Sequence, residues 1–140
     1  MKLLRTKLHT LGCAAAYLTS AILGPAASAG TWSPVLNAPL DAIGTMLLLP
    51  DGTVMAADAS TSNGWYRLTP DIHGSYANGT WSTLAPMNYS RLYYSSQVLQ
   101  DGRVFVAGAE YGTGGSTAEV YDPVANTWTI TPAAGMKFYD

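Results

Sequence analysis

Residues 85–130 decide the fold, and they read APMNYSRLYYSSQVLQDGRVFVAGAEYGTGGSTAEVYDPVANTWTI. Within this stretch, Leu99–Val104 (LQDGRV) repeats Leu49–Val54 (LPDGTV) after 50 residues. The segment Asn126–Thr129 (NTWT) repeats Gly79–Ser82 (GTWS) after 47 residues. Because both landmarks recur in the same order and at nearly the same spacing, the chain contains a repeated supersecondary unit.

Each repeat unit predicts four short strands. Its apolar runs have the length of β-strands, and its Asp-Gly pair favours a type I′ hairpin turn, in which both central residues have positive φ. A period of 47–50 residues falls in the range of β-propeller blades. The predicted fold class is therefore all-β, a partial β-propeller with about two four-stranded antiparallel blades. The predicted strands are Gly44–Leu49, Val54–Ala57, Trp65–Thr69 and Thr80–Leu84, then Tyr93–Leu99, Val104–Ala107, Ala118–Tyr121 and Thr127–Ile130.

The composition agrees with this fold class and excludes several others. Of the 140 residues, 48% are apolar and only 11% are charged, with 14 Gly, 8 Pro and 9 Tyr. Helical bundles and coiled coils need long periodic stretches rich in Ala, Glu, Lys and Leu, which this sequence lacks. The formal net charge of −2 provides no basic patch, so no nucleic-acid partner is expected.

Residues 1–29 have the pattern of an export signal peptide. Three basic residues lie within the first seven positions, an apolar run spans 11–23, and Ala27–Ala29 (ASA) predicts cleavage before Gly30. The alternative is an uncleaved membrane anchor, which needs about 20 apolar residues. Polar residues and a proline interrupt this run, so cleavage is favoured. The expected location is secreted or periplasmic, with no membrane association after cleavage.

Removal of residues 1–29 changes the charge and the cysteine content of the chain. Residues 30–140 contain four basic and nine acidic residues, a formal charge of −5. The one cysteine of the sequence, Cys13, lies in the predicted signal peptide. An exported chain of this kind is therefore expected to fold without disulfides.

The second repeat unit resembles a kelch repeat. The resemblance is close over residues 85–130 and looser over residues 30–84, where Asp58-Ala59 stands in place of the usual Gly-Gly pair. It implies a kelch-type propeller, with a first blade at about 36–84, a second at about 85–130 and the start of a third at 131–140. The motifs that carry it are Pro86-Met87, Arg91, Asp101-Gly102, Glu119–Pro123 (EVYDP) and Trp128.

Within the kelch group, Arg91–Ser96 (RLYYSS) resembles the propeller domain of galactose oxidases and of secreted bacterial relatives. The resemblance implies that Tyr93 corresponds to a copper-ligand tyrosine that is cross-linked to a cysteine. That cysteine aligns near Ile43, and residues 30–140 contain no cysteine, so a Tyr–Cys radical cofactor cannot form. The other copper ligands of these oxidases, a Tyr-His pair and a second His, would lie beyond Asp140. Tyr93 is therefore expected to be an ordinary core tyrosine of its blade.

Other chemically capable residues are expected to have structural roles. His73 is predicted to be a solvated loop residue, Asp51 and Asp101 to shape hairpin turns, and Gly112–Ser116 to be a flexible connection rather than a phosphate loop. Three regularly spaced tryptophans are expected to pack between blades, namely Trp32, Trp81 and Trp128. The better candidates for a ligand-binding surface are Trp65, Tyr66 and Tyr111.

These observations predict an exported kelch propeller segment that binds a glycan or a protein through loops at the ends of its blades. No catalytic residue, cofactor-binding residue or metal ligand is expected in it, and it is expected to be a piece of a longer propeller. Two alternatives stay open. In the first alternative, the chain is part of a secreted oxidase resembling galactose oxidase, with its active site downstream. In the second, it is a structural module of a surface protein.

Overall fold

A computed structural model describes residues 30–132 of the chain. The predicted signal peptide at 1–29 and almost all of the predicted third-blade segment at 131–140 lie outside the described residues. Within residues 30–132, no helix is long and apolar enough to cross a membrane.

The described residues form short β-strands joined by turns and loops, without helices. The strands are short because glycine, proline, asparagine and aspartate interrupt the sequence every few residues. They are β1 (Ile43–Leu48), β2 (Val54–Asp58), β3 (Trp65–Thr69), β4 (Thr80–Thr83), β5 (Arg91–Leu92), β6 (Ser95–Val98), β7 (Val104–Ala107), β8 (Tyr111–Gly112), β9 (Ala118–Asp122) and β10 (Thr127–Ile130).

Eight of these strands build the two four-stranded sheets that the repeat predicts. The first sheet has the order β1-β2-β3-β4 and the second β6-β7-β9-β10, and every neighbouring pair is antiparallel. The eight predicted strands are confirmed, with ends that shift by at most two residues. The sequence did not reveal the small sheet of β5 and β8, because two-residue strands carry no periodicity.

The Asp-Gly hairpins are present in both sheets, but the predicted type I′ geometry is wrong. In the first sheet Gly52 N donates to Leu49 O (3.0 Å) and Leu49 N donates to Thr53 O (2.9 Å). Only the glycine has positive φ, +81° at Gly52 and +86° at Gly102. The loop is therefore a three-residue hairpin, a tight turn followed by a left-handed glycine. The extra loop residue, Pro50 or Gln100, allows Asp to keep negative φ.

One apolar core lies between the two sheets. Trp65 of β3 is fully buried, and its ring centroid lies 5.8 Å from that of Trp128 and 6.4 Å from that of Tyr94, both in or beside the second sheet. Residues of this core include Leu49, Met55, Ala57, Leu84, Met87, Val104, Val106 and Tyr121. The packing joins the sheets as neighbouring layers, as stacked blades require.

The prediction that Trp65 and Tyr66 form a ligand-binding surface is wrong, because both are buried. Trp65 pairs across the strands with the small Ala57, which leaves room for its ring toward the second sheet. Tyr66 points to the opposite face, where its hydroxyl donates a hydrogen bond to the Asp41 carboxylate. This hydrogen bond raises the pKa of Tyr66 to about 12.

The three regularly spaced tryptophans differ in their packing. Trp128 packs on Trp65 across the two sheets, which confirms its predicted role. Trp81 is half-buried and donates from Nε1 to Asn37 O (3.0 Å), just as Trp128 Nε1 donates to Ala85 O (2.9 Å). Trp32 is fully exposed, so the predicted packing of Trp32 between blades is wrong within the described residues.

Candidate functional site

A cleft of about 320 Å³ lies where the first strands of the two sheets begin. One wall comes from the start of β1 and the end of β2, and the other from the segment between β5 and β6. The position follows from the topology, because β1 and β6 are the corresponding first strands of the two repeat units. The lining residues are Gly44, Thr45, Ala57, Asp58, Ala59, Leu92, Tyr93 and Tyr94.

Tyr93 lines this cleft with 56% of its surface exposed, so the prediction of a core tyrosine is wrong. Its backbone has φ of +53°, a left-handed conformation that for a residue with a side chain costs roughly 1–2 kcal/mol. Tyr111 is also exposed, and the two rings meet edge to face with centroids 6.1 Å apart. The left-handed backbone turns the Tyr93 ring out of the core and toward solvent, where it forms an aromatic pair with Tyr111.

The small β5–β8 sheet holds the two tyrosines together. Leu92 pairs with Tyr111 in its register, and Glu110 N donates to both Leu92 O (3.1 Å) and Tyr93 O (3.0 Å). Gly112 has φ of +104°, and a Cβ at this position would lie 2.3 Å from Ser90 O. This close approach of the two strands is therefore possible only with glycine at position 112.

Arg91 fixes the loop behind the tyrosine pair. Its Nη1 donates to the carbonyl oxygens of Gly108 (2.7 Å), Gly114 (2.6 Å) and Thr117 (3.0 Å), and its Nη2 donates to Thr117 Oγ1 (2.8 Å). Nη2 also lies 3.1 Å from Glu119 Oε1, and both side chains are completely buried. The Gly-rich connection that the sequence predicts to be flexible is therefore wrapped around a buried guanidinium group.

The Glu119 carboxylate completes the network from the other side. Its Oε2 accepts hydrogen bonds from the backbone N and the side-chain Nδ2 of Asn88, both at 2.7 Å. Its Oε1 accepts from Tyr89 N (3.2 Å) in addition to Arg91. Burying a charge is costly unless it is paired and hydrogen-bonded, and this network meets both conditions. It ties the segment that precedes Tyr93 to the loop that carries Tyr111.

Carboxylates are the charged groups at the cleft. Asp58 lines it, and hydrogen bonds from the backbone and the hydroxyl of Ser60, both 2.8 Å long, lower the pKa of Asp58. Glu110 lies beside the tyrosine pair. Its negative charge, and the hydrogen bond between its side chain and Tyr111, raise the pKa of Tyr111. Among residues 30–132, no lysine, arginine or histidine lines the cleft. Near neutral pH the site is therefore aromatic and acidic.

Tyr94 forms the buried part of the cleft. Only 9% of its surface is exposed, and its ring packs edge to face on Trp65. Burial raises the pKa of Tyr94, so its hydroxyl stays protonated. Sequence reasoning missed Tyr94 and Asp58. The second tyrosine of the Arg-Leu-Tyr-Tyr segment is a visible signal for Tyr94, whereas Asp58 differs from a kelch repeat only in replacing the usual Gly-Gly pair.

The other candidate residues lie away from the cleft. His73 is exposed in the β3–β4 loop, as predicted. Asp51 and Asp101 shape the hairpins as predicted, because Asp51 Oδ1 accepts from Thr53 N (2.9 Å) and Asp101 Oδ1 from Arg103 N (3.1 Å). Of the three residues predicted for a ligand-binding surface, Tyr111 alone is exposed at the site.

The residues around Tyr93 do not match the donor set of a copper site. Within residues 30–132, no three side chains of His, Cys, Asp or Glu cluster in a way that holds a metal ion. Ile43, near which the resemblance to galactose oxidases places the cross-linked cysteine, has no thiol. Tyr93 is accordingly a phenol in an open cleft, without imidazole or thiolate donors from the described residues.

Comparison with known proteins connects this chain to galactose oxidase. Two galactose oxidase sequences from Gibberella zeae are each 37% identical to it over 63 residues, a match that covers 44% of this chain and 9% of each relative. A fungal alcohol oxidase of the AA5 family, solved in complex with copper, superposes with a TM-score of 0.53 and 34% identity. No protein-family model matches the chain.

These similarities confirm the resemblance and the fold class that the sequence predicts, a kelch-like β-propeller fold. The chain spans only a small part of its relatives. The superposition covers 68% of this chain but 19% of the alcohol oxidase, and the sequence match covers 9% of the galactose oxidases. The two sheets are therefore two propeller-type blades, described below as the first and second blade.

Proposed function

We propose that this chain forms a ligand-binding part of a propeller resembling galactose oxidase, and that the Tyr93 cleft binds a hydroxyl-rich ligand of the saccharide class. The observation that carries the proposal is the exposed pair of Tyr93 and Tyr111 beside an open cleft between two blades. Binding sites are typically concave, with aromatic walls and a few polar groups. The cleft combines these features.

The chemistry of the cleft favours a saccharide over an anionic ligand. Aromatic faces pack on the apolar C–H faces of a sugar ring, and carboxylates such as Asp58 and Glu110 accept hydrogen bonds from its hydroxyl groups. The same carboxylates repel anions. The relatives are named for oxidation of galactose and of alcohols, which are neutral hydroxyl compounds. A neutral glycan is therefore the first choice, and a protein ligand the second.

Titration of the full chain with galactose tests this proposal. Tyr93→Ala and Tyr111→Ala are each expected to weaken binding at least about tenfold, since each removes an aromatic contact. Tyr76→Ala is the matched control, because Tyr76 is an exposed tyrosine of the β3–β4 loop whose hydroxyl donates to Gly52 O (2.6 Å). An unchanged affinity in both cleft variants would overturn the proposal.

The second candidate function is that the chain is part of a larger copper oxidase, and the exposure of Tyr93 favours this candidate. The tyrosine at the position of the copper ligand faces an open cleft rather than the core. The described residues provide no cluster of further donors, so copper binding by this chain is expected to be weak. Stoichiometric copper uptake by the full chain that Tyr93→Phe abolishes would favour the oxidase over the binding module.

An extracytoplasmic location is part of the proposal. It is supported by the basic start, the apolar run and the Ala27–Ala29 cleavage pattern of the sequence, together with the absence of cysteine from residues 30–140. A glycan ligand is consistent with this location, because exported proteins encounter polysaccharides outside the cytoplasm.

A further inference from the structure

Tyr93 and Tyr111 form the one close pair of tyrosine rings among residues 30–132. Their side chains are 56% and 53% exposed, and the ring centroids lie 6.1 Å apart with an angle of 68° between the ring planes. The other aromatic contacts of the described chain each contain a tryptophan and belong to the core or its border. Two phenols therefore lie against each other at a surface that small solutes reach.

The backbone holds the two tyrosines together. Leu92 pairs with Tyr111 in the β5–β8 register, and Glu110 N donates to Tyr93 O (3.0 Å). The left-handed backbone of Tyr93, with φ of +53°, is a conformation that persists only where the surrounding structure imposes it. The pairing of the rings is therefore fixed by the main chain and is not a chance approach of two mobile side chains.

The other tyrosines of the described chain lack such a partner. Three of them are buried, namely Tyr66, Tyr94 and Tyr121. Tyr76 is exposed and Tyr89 half-buried, and within residues 30–132 the ring of a second tyrosine lies against neither of them. Residues 30–140 also contain no cysteine, whose thiol would react with an oxidant instead. An oxidant that reaches the described surface therefore meets a single pair of adjoining phenols.

We infer that Tyr93 and Tyr111 are an oxidative modification site, at which hydrogen peroxide and a peroxidase convert the pair to a dityrosine cross-link. Each phenol loses one electron and its hydroxyl proton, and the two tyrosyl radicals join by a carbon–carbon bond between ring carbons ortho to the hydroxyl groups. The hydrogen on each of these carbons then moves to the oxygen and restores the phenol. The protein loses two hydrogen atoms in total, and one molecule of peroxide is reduced to two molecules of water.

The cross-link requires rotation of the rings but no movement of the backbone. Exposed side chains change rotamer within picoseconds to nanoseconds, while the β5–β8 pairing keeps the main chain of both tyrosines in place. The Glu110 side chain accepts a hydrogen bond from Tyr111, so a carboxylate is in position to take the phenol proton as the electron leaves. The product joins the end of β5 covalently to β8 and fixes the Tyr93 wall of the cleft. The inference does not depend on which ligand the cleft binds.

Treatment of the full chain, expressed in a secreting host and kept dilute, with peroxidase and hydrogen peroxide tests the inference. The expected product is a monomer that has lost two hydrogen atoms and shows dityrosine fluorescence. Mass spectrometry of its proteolytic digest is expected to identify a cross-linked peptide that joins Tyr93 to Tyr111. Failure to form this product, or dityrosine that joins other tyrosines or separate molecules, would overturn the inference.

Three variants identify the reacting rings. Tyr93→Phe and Tyr111→Phe are each expected to abolish the cross-linked monomer, because phenylalanine has no hydroxyl hydrogen to lose, and both keep an aromatic ring in the pair. Tyr76→Phe is the matched control, because it removes the phenol of an exposed tyrosine outside the pair. The control is expected to give the same yield of cross-linked monomer as the wild type. A yield that falls only in Tyr76→Phe, or equally in all three variants, would contradict a site at Tyr93 and Tyr111.

Discussion

Arg91 and Glu119 form an ion pair in which both side chains are completely buried, with Nη2 and Oε1 3.1 Å apart. The pair joins the segment that leads into Tyr93 to β9, the third strand of the same blade. It therefore supports the cleft from behind, without facing it. In the first blade the buried Tyr66 donates a hydrogen bond to the exposed Asp41, a partly buried contact with different chemistry.

Glu119→Gln is expected to destabilise the protein strongly. The change keeps the shape of the side chain but leaves the Arg91 charge buried without a counter-charge, which costs about 3–5 kcal/mol when a buried pair is broken. Arg103→Ala is the control, because the Arg103–Asp101 pair is about half exposed and such pairs contribute at most about 1 kcal/mol. Urea unfolding measures both. Equal effects would contradict a buried structural pair.

Gly112→Ala is expected to displace β8 from β5 and to separate Tyr111 from Tyr93. The new Cβ would overlap Ser90 O, and φ of +104° disfavours alanine in addition. Gly74→Ala is the control, because Gly74 also has positive φ, +79°, but its Cβ would meet nothing within 4 Å. The free energy of unfolding should fall by about 2 kcal/mol more in Gly112→Ala, and galactose binding should weaken in that variant alone. Equal losses of stability would show that no steric overlap exists.

Tyr66 gives the protein a pH dependence in the alkaline range. Its hydrogen bond to Asp41 raises the pKa in the folded state to about 12, compared with 10.0 for an ordinary tyrosine. Because the folded pKa is the higher one, the stabilisation is complete below about pH 10 and is lost as the pH rises through 12.

Spectrophotometric titration of tyrosine ionisation measures this effect. Tyr66→Phe should remove one ionisation step near pH 12, and Asp41→Asn should move that step to lower pH, because the carboxylate no longer holds the phenol proton. A Tyr66→Phe variant that instead loses a step near pH 10 would show that the hydrogen bond does not form.

The export prediction concerns the chain before residue 30. Expression with the natural start in a secreting host is expected to yield a mature protein that begins at Gly30, because the cleavage pattern ends at Ala29. N-terminal sequencing of the secreted material measures this. Recovery of a membrane-bound species that retains Met1 would contradict it.

The sequence predicted the fold well because the fold is repeated. The Asp-Gly hairpins and the tryptophans mark equivalent positions in both blades, so each repeat reinforces the assignment of the other. The turn type was wrong because the dipeptide does not reveal loop length, and a third residue, Pro50 or Gln100, joins the turn. The burial of Trp65 depends on a ring from the second blade, which no local pattern contains.

The site was less predictable than the fold. The prediction that Tyr93 lies in the core followed from the exclusion of a Tyr–Cys cofactor. The predicted strand begins at Tyr93, whereas the observed strand begins at Ser95 and Tyr93 adopts a left-handed conformation. That conformation depends on the β5–β8 sheet and on the buried Arg91, which are contacts over 17 to 28 residues of sequence. Residue types alone identified Arg91 and Tyr111 but not the network that brings Tyr111 to Tyr93.

The central claim is that the cleft beside Tyr93 binds a saccharide, and the most direct measurement is the map of amide chemical-shift changes when the labelled full chain is titrated with galactose. The account predicts saturable changes at Asp58, Leu92, Tyr93 and Tyr111. It also predicts none at the hairpin residues Gly52 and Gly102. Changes centred on the hairpins, or no saturable change at any residue, would contradict it.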